Sequence, residues 1–408
     1  MEGLKDLPRR TGSAEFVVAS LFSGIGGIEL GLERSGISIE TRLLCEYWPP
    51  AQAVLAQHFE GEFAEDIRTL KALPAAVNLV TAGFPCTDLS QAGRTAGIRG
   101  PQSGLVSHMF QLLRRRRETG RAVRWVVIEN VPNMLALEKG RAMHYLVDSL
   151  DDLGYRWAYR VVDSRFTGVP QRRRRVVLVA SVEGDPRAVL FADDAGEPPA
   201  GRYTGDAFGF YWTEGRGGLG WAQDAVPTLK GGSTVGIPSP PAVWVPGGAP
   251  GRTVITPSIQ DAEQLQGFPA GWTEAAELYR ANSPRWKLVG NAVTVDVARW
   301  VGSRIASPGE PVVGARAWSP DGAWPTAAWG ERGRVWKVAA SEYPREAAYA
   351  HLLDVVDAQH ARPLTQRATA GFLKRLREGN LGWHPGFREA IAAHVLEQEA
   401  ERSILIPA

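Results

Sequence analysis

The chain has 408 residues, of which 44% are hydrophobic, with a net charge of +2 and a pI near 8.5. It is too long for one average domain, and its charge is too small to argue for nucleic-acid binding by itself. No apolar run approaches the ~20 residues of a membrane helix. Met1–Arg10 is charged and has no secretory apolar core, so a cytoplasmic location is expected. The two cysteines, Cys45 and Cys86, are too few for a disulfide framework or a Cys-rich zinc site, and no metal is expected.

Residues 16–22 form a short apolar run ending at glycines, which reads as a buried strand. A helix follows over Ile28–Arg34, closed by Gly36. Thr41–Cys45 is the next strand, and Pro49 opens a helix through His58. Asn78–Ala82 is a strand leading into Gly83-Phe84-Pro85-Cys86. Trp125–Ile128 is another, ending at Glu129-Asn130. Met143–Leu153 is a helix closed by Gly154, and Arg156–Val162 and Arg175–Ala180 are two further strands. Apolar strands alternating with helices predict a parallel α/β sheet covered on both faces. From about residue 182 the chain turns rich in Gly, Pro and Trp, which predicts a small β/loop domain. Regular structure returns around Gln260–Gln266 and Pro284–Ile305. The tail contains Trp318, Trp324, Trp329 and Trp336, and helices are expected over Thr369–Arg377 and Phe387–Glu401. The expected organisation is a main domain over 15–181, a small domain over 182–264, a return to the main domain over 265–305, and an extension over 306–408. The tail is expected to pack on the main domain.

The glycines of Phe22-Ser23-Gly24-Ile25-Gly26-Gly27 let the backbone turn sharply and approach a ligand closely. Glu46 ends the second strand, where a carboxylate can grip ribose hydroxyls. Asp66 ends a third segment and can accept from an adenine amino group. These features point to a nucleoside-containing cofactor; the glycine spacing lacks the full dinucleotide pattern. Cys86 follows a proline-led turn at the same sheet edge, and a thiol of pKa about 8.5 needs a nearby cation or helix N-terminus to act as a nucleophile. Cys45, inside a strand, reads as a packing residue. Glu129 ends the neighbouring strand, where it can serve a ring nitrogen. The arginine blocks at 114–117 and 172–175 flank these segments and point to phosphate contact.

Phe22–Gly27, Gly83–Cys86, Glu129-Asn130-Val131, Gln171–Arg175 and Gly290-Asn291-Ala292-Val293 occur here in one order. In this the chain resembles the cytosine-C5 DNA methyltransferases. Asp66-Ile67-Arg68 and Gln264–Pro269 match further motifs, and the resemblance covers residues 15–305. Where the family commonly has Gln after its Pro-Cys, this chain has Thr87.

The resemblance implies a Rossmann-like S-adenosylmethionine-dependent fold and a target-recognition domain over 182–264. It implies a cofactor site formed by Phe22, Ser23, Gly24, Ile25, Gly26, Gly27, Glu46, Tyr47, Asp66, Ile67, Pro85, Leu105, Asn291, Ala292 and Val293, with S-adenosylhomocysteine as product. Cys86 would attack C6 of a flipped cytosine, Glu129 would engage N3, and Arg173 and Arg175 would reach the base and its phosphate. Double-stranded DNA would meet Ser90 and Arg94 on a closing loop and Thr228, Leu229, Lys230 and Arg252 in the recognition domain, with Arg216 a further candidate. A monomer serving restriction–modification or phage defence is expected. The alternatives are a tRNA cytosine-C5 methyltransferase, against which stands the lack of cysteine in 182–264, and a non-catalytic DNA-binding regulator.

Overall fold

A computed structural model describes residues 14–84, 104–231, 239–279, 284–319 and 322–405. The chain first lays down β1 (Phe16–Leu21), α1 (Gly27–Glu33), β2 (Ile39–Cys45), α2 (Pro49–His58), β3 (Glu62–Ala64) and β4 (Leu79–Ala82). Then come α3 (Leu105–Glu118), β5 (Trp125–Asn130), α4 (Arg141–Asp152), β6 (Arg156–Asp163), β7 (Gln171–Arg172), β8 (Arg174–Ser181) and α5 (Pro186–Leu190). β1 shows why these residues make a strand covered on both faces. Val17, Ala19 and Leu21 join one apolar layer with α3 and α4, while Phe16 and Val18 join the other with α1.

The expected parallel sheet is correct for only half of the observed one. Strands β3-β2-β1-β4-β5 run parallel. β8 then pairs antiparallel with both β5 and β6. Residues 164–173 are all that joins β6 to β8, too few for the crossover that a parallel return requires.

The small domain contains β9 (Phe208–Phe210), β10 (Trp221–Gln223), β11 (Val226–Pro227), β12 (Ala242–Trp244) and β13 (Val254–Thr256). The chain returns through α6 (Ile259–Leu265), α7 (Pro284–Asn291) and α8 (Val295–Ala306). A reciprocal cap opens α6: Ser258 Oγ accepts from the Asp261 N–H at 3.1 Å, and Asp261 accepts from the Ser258 N–H at 2.7 Å. α8 packs on α1 so closely that a side chain at Gly31 would strike the Val295 carbonyl.

The tail is divided between the two sheets. β14 (Ala315–Trp318), β15 (Ala327–Glu331) and β16 (Arg334–Val338) extend the main sheet beyond β6. The buried Arg160 of β6 secures this junction, donating to the Leu190, Asp193 and Ser341 carbonyls at 2.7–3.0 Å and pairing with Asp194 at 2.6 Å. The tail tryptophans pack against one another. Trp324 is buried against Trp318 at 4.9 Å between ring centroids, and Trp329 stacks on Trp336 at 4.0 Å.

After α9 (Leu352–Val355), β17 (Arg362–Pro363) becomes the last strand of the small sheet, ordered β10-β9-β12-β13-β17. α10 (Gln366–Glu378) and α11 (Phe387–Leu405) then cover that sheet. Fully buried Phe387 meets Trp221, Phe210 and Trp244 at 4.9–5.3 Å. Phe387→Ala should therefore cost about 3–5 kcal/mol, read by urea unfolding. A loss below about 1 kcal/mol would mean that the tail is not part of the small domain's core.

Candidate active site and cofactor cavity

The carboxyl ends of β1, β2, β4 and β5 open onto a cavity of about 830 Å3. Every described residue expected to hold cofactor lines it, with the exception of Gly26. Pro85 lies outside the described residues, as do Cys86, Ser90 and Arg94. The floor is the turn between β1 and α1. Phe22 itself takes a left-handed backbone, at φ 59°, which strains a non-glycine residue by about 1–3 kcal/mol. Its ring meets Phe84 edge to face at 5.9 Å. Gly26 is also left-handed, at φ 79°, and a side chain there would collide with Phe59. Gly26 thus shapes the turn against Phe59 without lining the cavity.

Glu46 binds the turn in place. One carboxylate oxygen accepts from the Gly24 N–H and the other from the Trp48 N–H, both at 2.8 Å. Burial pushes its pKa up. Asp66 is held by Arg68 through Nε at 2.8 and 2.9 Å, and that guanidinium draws its pKa down. Tyr47 is 71% exposed at the mouth. The Cys45 thiol is buried, and desolvation pushes it up to about 12, with Glu46 and Asp66 adding to the effect. It remains a thiol and has no nucleophilic role near neutral pH.

The corner of the cavity where the described chain stops at Phe84 is formed by β4 and β5. The Asn130 side chain donates to the Phe84 carbonyl at 3.0 Å, fixing the chain two residues before Cys86. Beside Asn130, Glu129 pairs with Arg175 Nε at 2.9 Å, and both line the cavity. Their alignment falls short of a hydrogen bond, so the contact is an ion pair. Burial lowers the Arg175 pKa, and Glu129 opposes that shift.

Arg173 has a different setting. It is 1% exposed and meets the carbonyls of Ala292, Gly290 and Leu229 at 2.6, 3.2 and 3.4 Å. Burial holds its pKa well below the usual guanidinium range, and the Arg175 charge adds to this. Gln171 works alongside it. Its amide donates to the Leu265 carbonyl and to Gln266 Oε1, and its oxygen accepts from the Leu229 N–H at 3.0 Å. Gln266 in turn donates to the Val289 carbonyl and accepts from Thr294. The residues expected to complete the cofactor site from far along the chain are fastened by this network.

The described residues among the expected DNA contacts, Thr228, Leu229, Lys230 and Arg252, lie outside the cavity lining. Thr228 donates to the Arg172 carbonyl at 2.9 Å, and Leu229 is buried. Lys230 pairs with Glu214 above the Tyr211 ring, Arg216 pairs with Glu378, and Arg252 donates to the Ala361 carbonyl at 3.0 Å. Much of the first arginine block is engaged within the protein. Arg115 bonds the Lys71 carbonyl, Arg116 those of Pro74, Ala75 and Val77, and Arg117 that of Asp152. Sequence reasoning missed Trp48 and Lys287, which line the cavity. The position of Lys287 one helical turn before Asn291 was the available signal.

Arg173→Met should leave three carbonyls short of a donor, at about 1–3 kcal/mol for each that water cannot reach. A stability loss of about 3 kcal/mol or more is expected in urea unfolding, whereas Arg175→Met, at the cavity wall, should lose much less. Equal losses for the two variants would contradict this division of roles.

Comparison with known proteins agrees with this geometry. The family model for C-5 cytosine-specific DNA methylases matches residues 16–194. A Type II methyltransferase, M2.BsuMI of Bacillus subtilis, is 45% identical over 369 residues, spanning 88% of this chain and 92% of the relative. The Type II methyltransferase M.MspI of a Moraxella species is 24% identical over 72% of this chain and 71% of its own length. In fold, the S. pombe Dnmt2 methyltransferase superposes with a TM-score of 0.51 at 17% identity, covering 71% of this chain and 97% of the other. A β1–α1 glycine turn, an acid-lined cavity and a relative sharing almost half its residues lead to one conclusion: this chain belongs to the C-5 cytosine-specific DNA methylase family.

Proposed function

We propose that this enzyme methylates C5 of a cytosine within a short sequence of double-stranded DNA, as the modification partner of a Type II restriction system. The observation that carries the chemistry is the Glu129–Arg175 pair on the cavity wall, beside the strand end that leads to Cys86. The Type II names of the relatives support the biological setting. The cavity fits S-adenosylmethionine. Its volume suits a nucleoside bearing an amino acid. Phe22 offers an aromatic face, Glu46 a half-buried acceptor for ribose hydroxyls, and Asp66 an acceptor for the adenine amino group. When bound, that cofactor supplies an electrophilic methyl group.

The protein's task is to make C5 nucleophilic. The cytosine has to leave the duplex before side chains can reach its ring. The Cys86 thiolate then adds at C6, which breaks aromaticity and leaves carbanion character at C5. Negative charge moves onto O2 and N3 of the ring. Arg175 neutralises it, and Glu129 handles the proton at N3. After C5 has gained the methyl group, a base removes the C5 proton. The electrons of that bond expel Cys86 from C6 and restore the ring.

Expression in a bacterial host lacking DNA methylation, followed by base-resolution mapping of 5-methylcytosine, tests the reading. Methylation is expected at one short recurrent sequence, and a Cys86→Ser genome should be blank. An unmarked wild-type genome, with methyl transfer to tRNA by the purified enzyme, would replace this substrate with RNA.

A second test uses Glu46. Its raised pKa means that the ionised form, which ribose hydroxyls favour, is lost as pH falls through that value. Calorimetric affinity for S-adenosylhomocysteine should therefore weaken as pH is lowered from the alkaline side through that raised value. Glu46→Gln should bind more weakly at the upper end and lose most of the pH dependence. An unchanged pH profile in that variant would remove Glu46 from the cofactor's ribose.

A further inference from the structure

Among the described residues, five carboxyl residues line the cofactor cavity: Glu29, Glu46, Glu65, Asp66 and Glu129. Such a wall suits the sulfonium and ammonium of S-adenosylmethionine and opposes the carboxylate of its methionyl group. A ligand carrying that anion requires a cation that is not already committed. Among the described residues, four cations line the cavity. Arg68 is bidentate on Asp66, Arg173 is fixed on three carbonyls, and Arg175 pairs with Glu129. The fourth is Lys287. Its ammonium lies over the Trp48 ring, 4.8 Å from the centroid, and has no ion-pair or hydrogen-bond partner among the described residues.

The surroundings of Lys287 define a small subsite. It stands one helical turn before Asn291 on α7, so both side chains project from the same face. Gly231 packs against that face. A β-carbon at residue 231 would lie 3.1 Å from Lys287 Cγ and 3.2 Å from Asn291 Oδ1. Trp48 follows Glu46 by two residues and donates its backbone N–H to it. The lysine therefore bridges the ribose-binding edge of the cavity and the returning helix. An ammonium over an aromatic face keeps N–H donors free on its other side, which a compact anion can accept.

We propose that Lys287, steered by Trp48, receives the α-carboxylate of the cofactor's methionyl group. The proposal rests on the reading of this cavity as the S-adenosylmethionine site. It makes Lys287 a binding residue for the amino-acid half of the cofactor, with no part in adenosine recognition.

Calorimetry on the full chain with two ligands separates these statements. S-adenosylhomocysteine carries the carboxylate, and 5′-methylthioadenosine keeps the adenosine and lacks the amino acid. Lys287→Met should weaken the first about tenfold, the loss of one charge-assisted hydrogen bond. It should leave the second unchanged, and Lys287→Arg should recover most of the loss. Equal weakening of both ligands would reduce Lys287 to a support for the cavity's shape and overturn the proposal. Unchanged binding of both, with weaker and less salt-dependent binding of duplex DNA, would reassign the ammonium to a phosphate. If the wild-type protein bound neither nucleoside, the reading of the cavity itself would fall, and the lysine's role with it.

Discussion

A buried guanidinium with no carboxylate touching its tips is costly unless other dipoles surround it. Arg173 meets that condition with carbonyls from two places distant in sequence: Leu229 of the small domain, and Gly290 and Ala292 at the end of α7. Gln171 repeats the arrangement two residues earlier, joining Leu229 to Leu265 and Gln266. These contacts draw the small domain and the returning helix onto the β6–β8 connection. One wall of the cavity exists only because they do. Close backbone approach is part of the same constraint, since a side chain at Gly290 would collide with the backbone of Lys230 and Gly231.

That constraint separates two arginines that the sequence presents as equals. Arg173 and Arg175 share a motif and a strand direction, so both sit on the side facing the cavity. Arg173 is turned to carbonyls, and Arg175 stands against Glu129. The first builds the wall and the second equips it. The acid-rich lining follows a related logic. Carboxyls suit a cationic cofactor, and at Glu29 and Glu46, beside the glycine turn, burial raises the pKa while hydrogen bonds oppose that shift. Glu46 illustrates both effects, with two backbone donors and a raised pKa.

The tail connects the two sheets. β14–β16 occupy the edge that β6 would otherwise expose, and β17 with α10 and α11 does the same for the small sheet. An uncovered strand edge invites unwanted pairing, and an uncovered sheet face leaves apolar surface in water. The aromatic residues of the tail answer the second need. Phe372 and Phe387 meet Phe210, and His384 lies against Phe208 at 4.4 Å. Asp224 adds a polar tie, accepting from the Leu352 N–H and from His351, whose pKa it raises.

The sequence by itself determined the chemistry-bearing positions and the elements that carry them. Glycine turns, strand ends and apolar periodicity are local properties, so β1, α2 and the end of β5 at Glu129-Asn130 were legible from neighbouring residues alone. The ordered motifs made the family legible too. The tertiary structure decided what depends on partners distant in the chain. It set the antiparallel return of β8, fixed by which strands could meet through a short connection. It turned Arg115, Arg116 and Arg117 onto carbonyls, where their composition suggested phosphates. It also left Lys287 over Trp48 without a counter-ion among the described residues. A side chain's charge is written in the sequence; whether that charge is already satisfied depends on groups that only folding brings within a few ångströms.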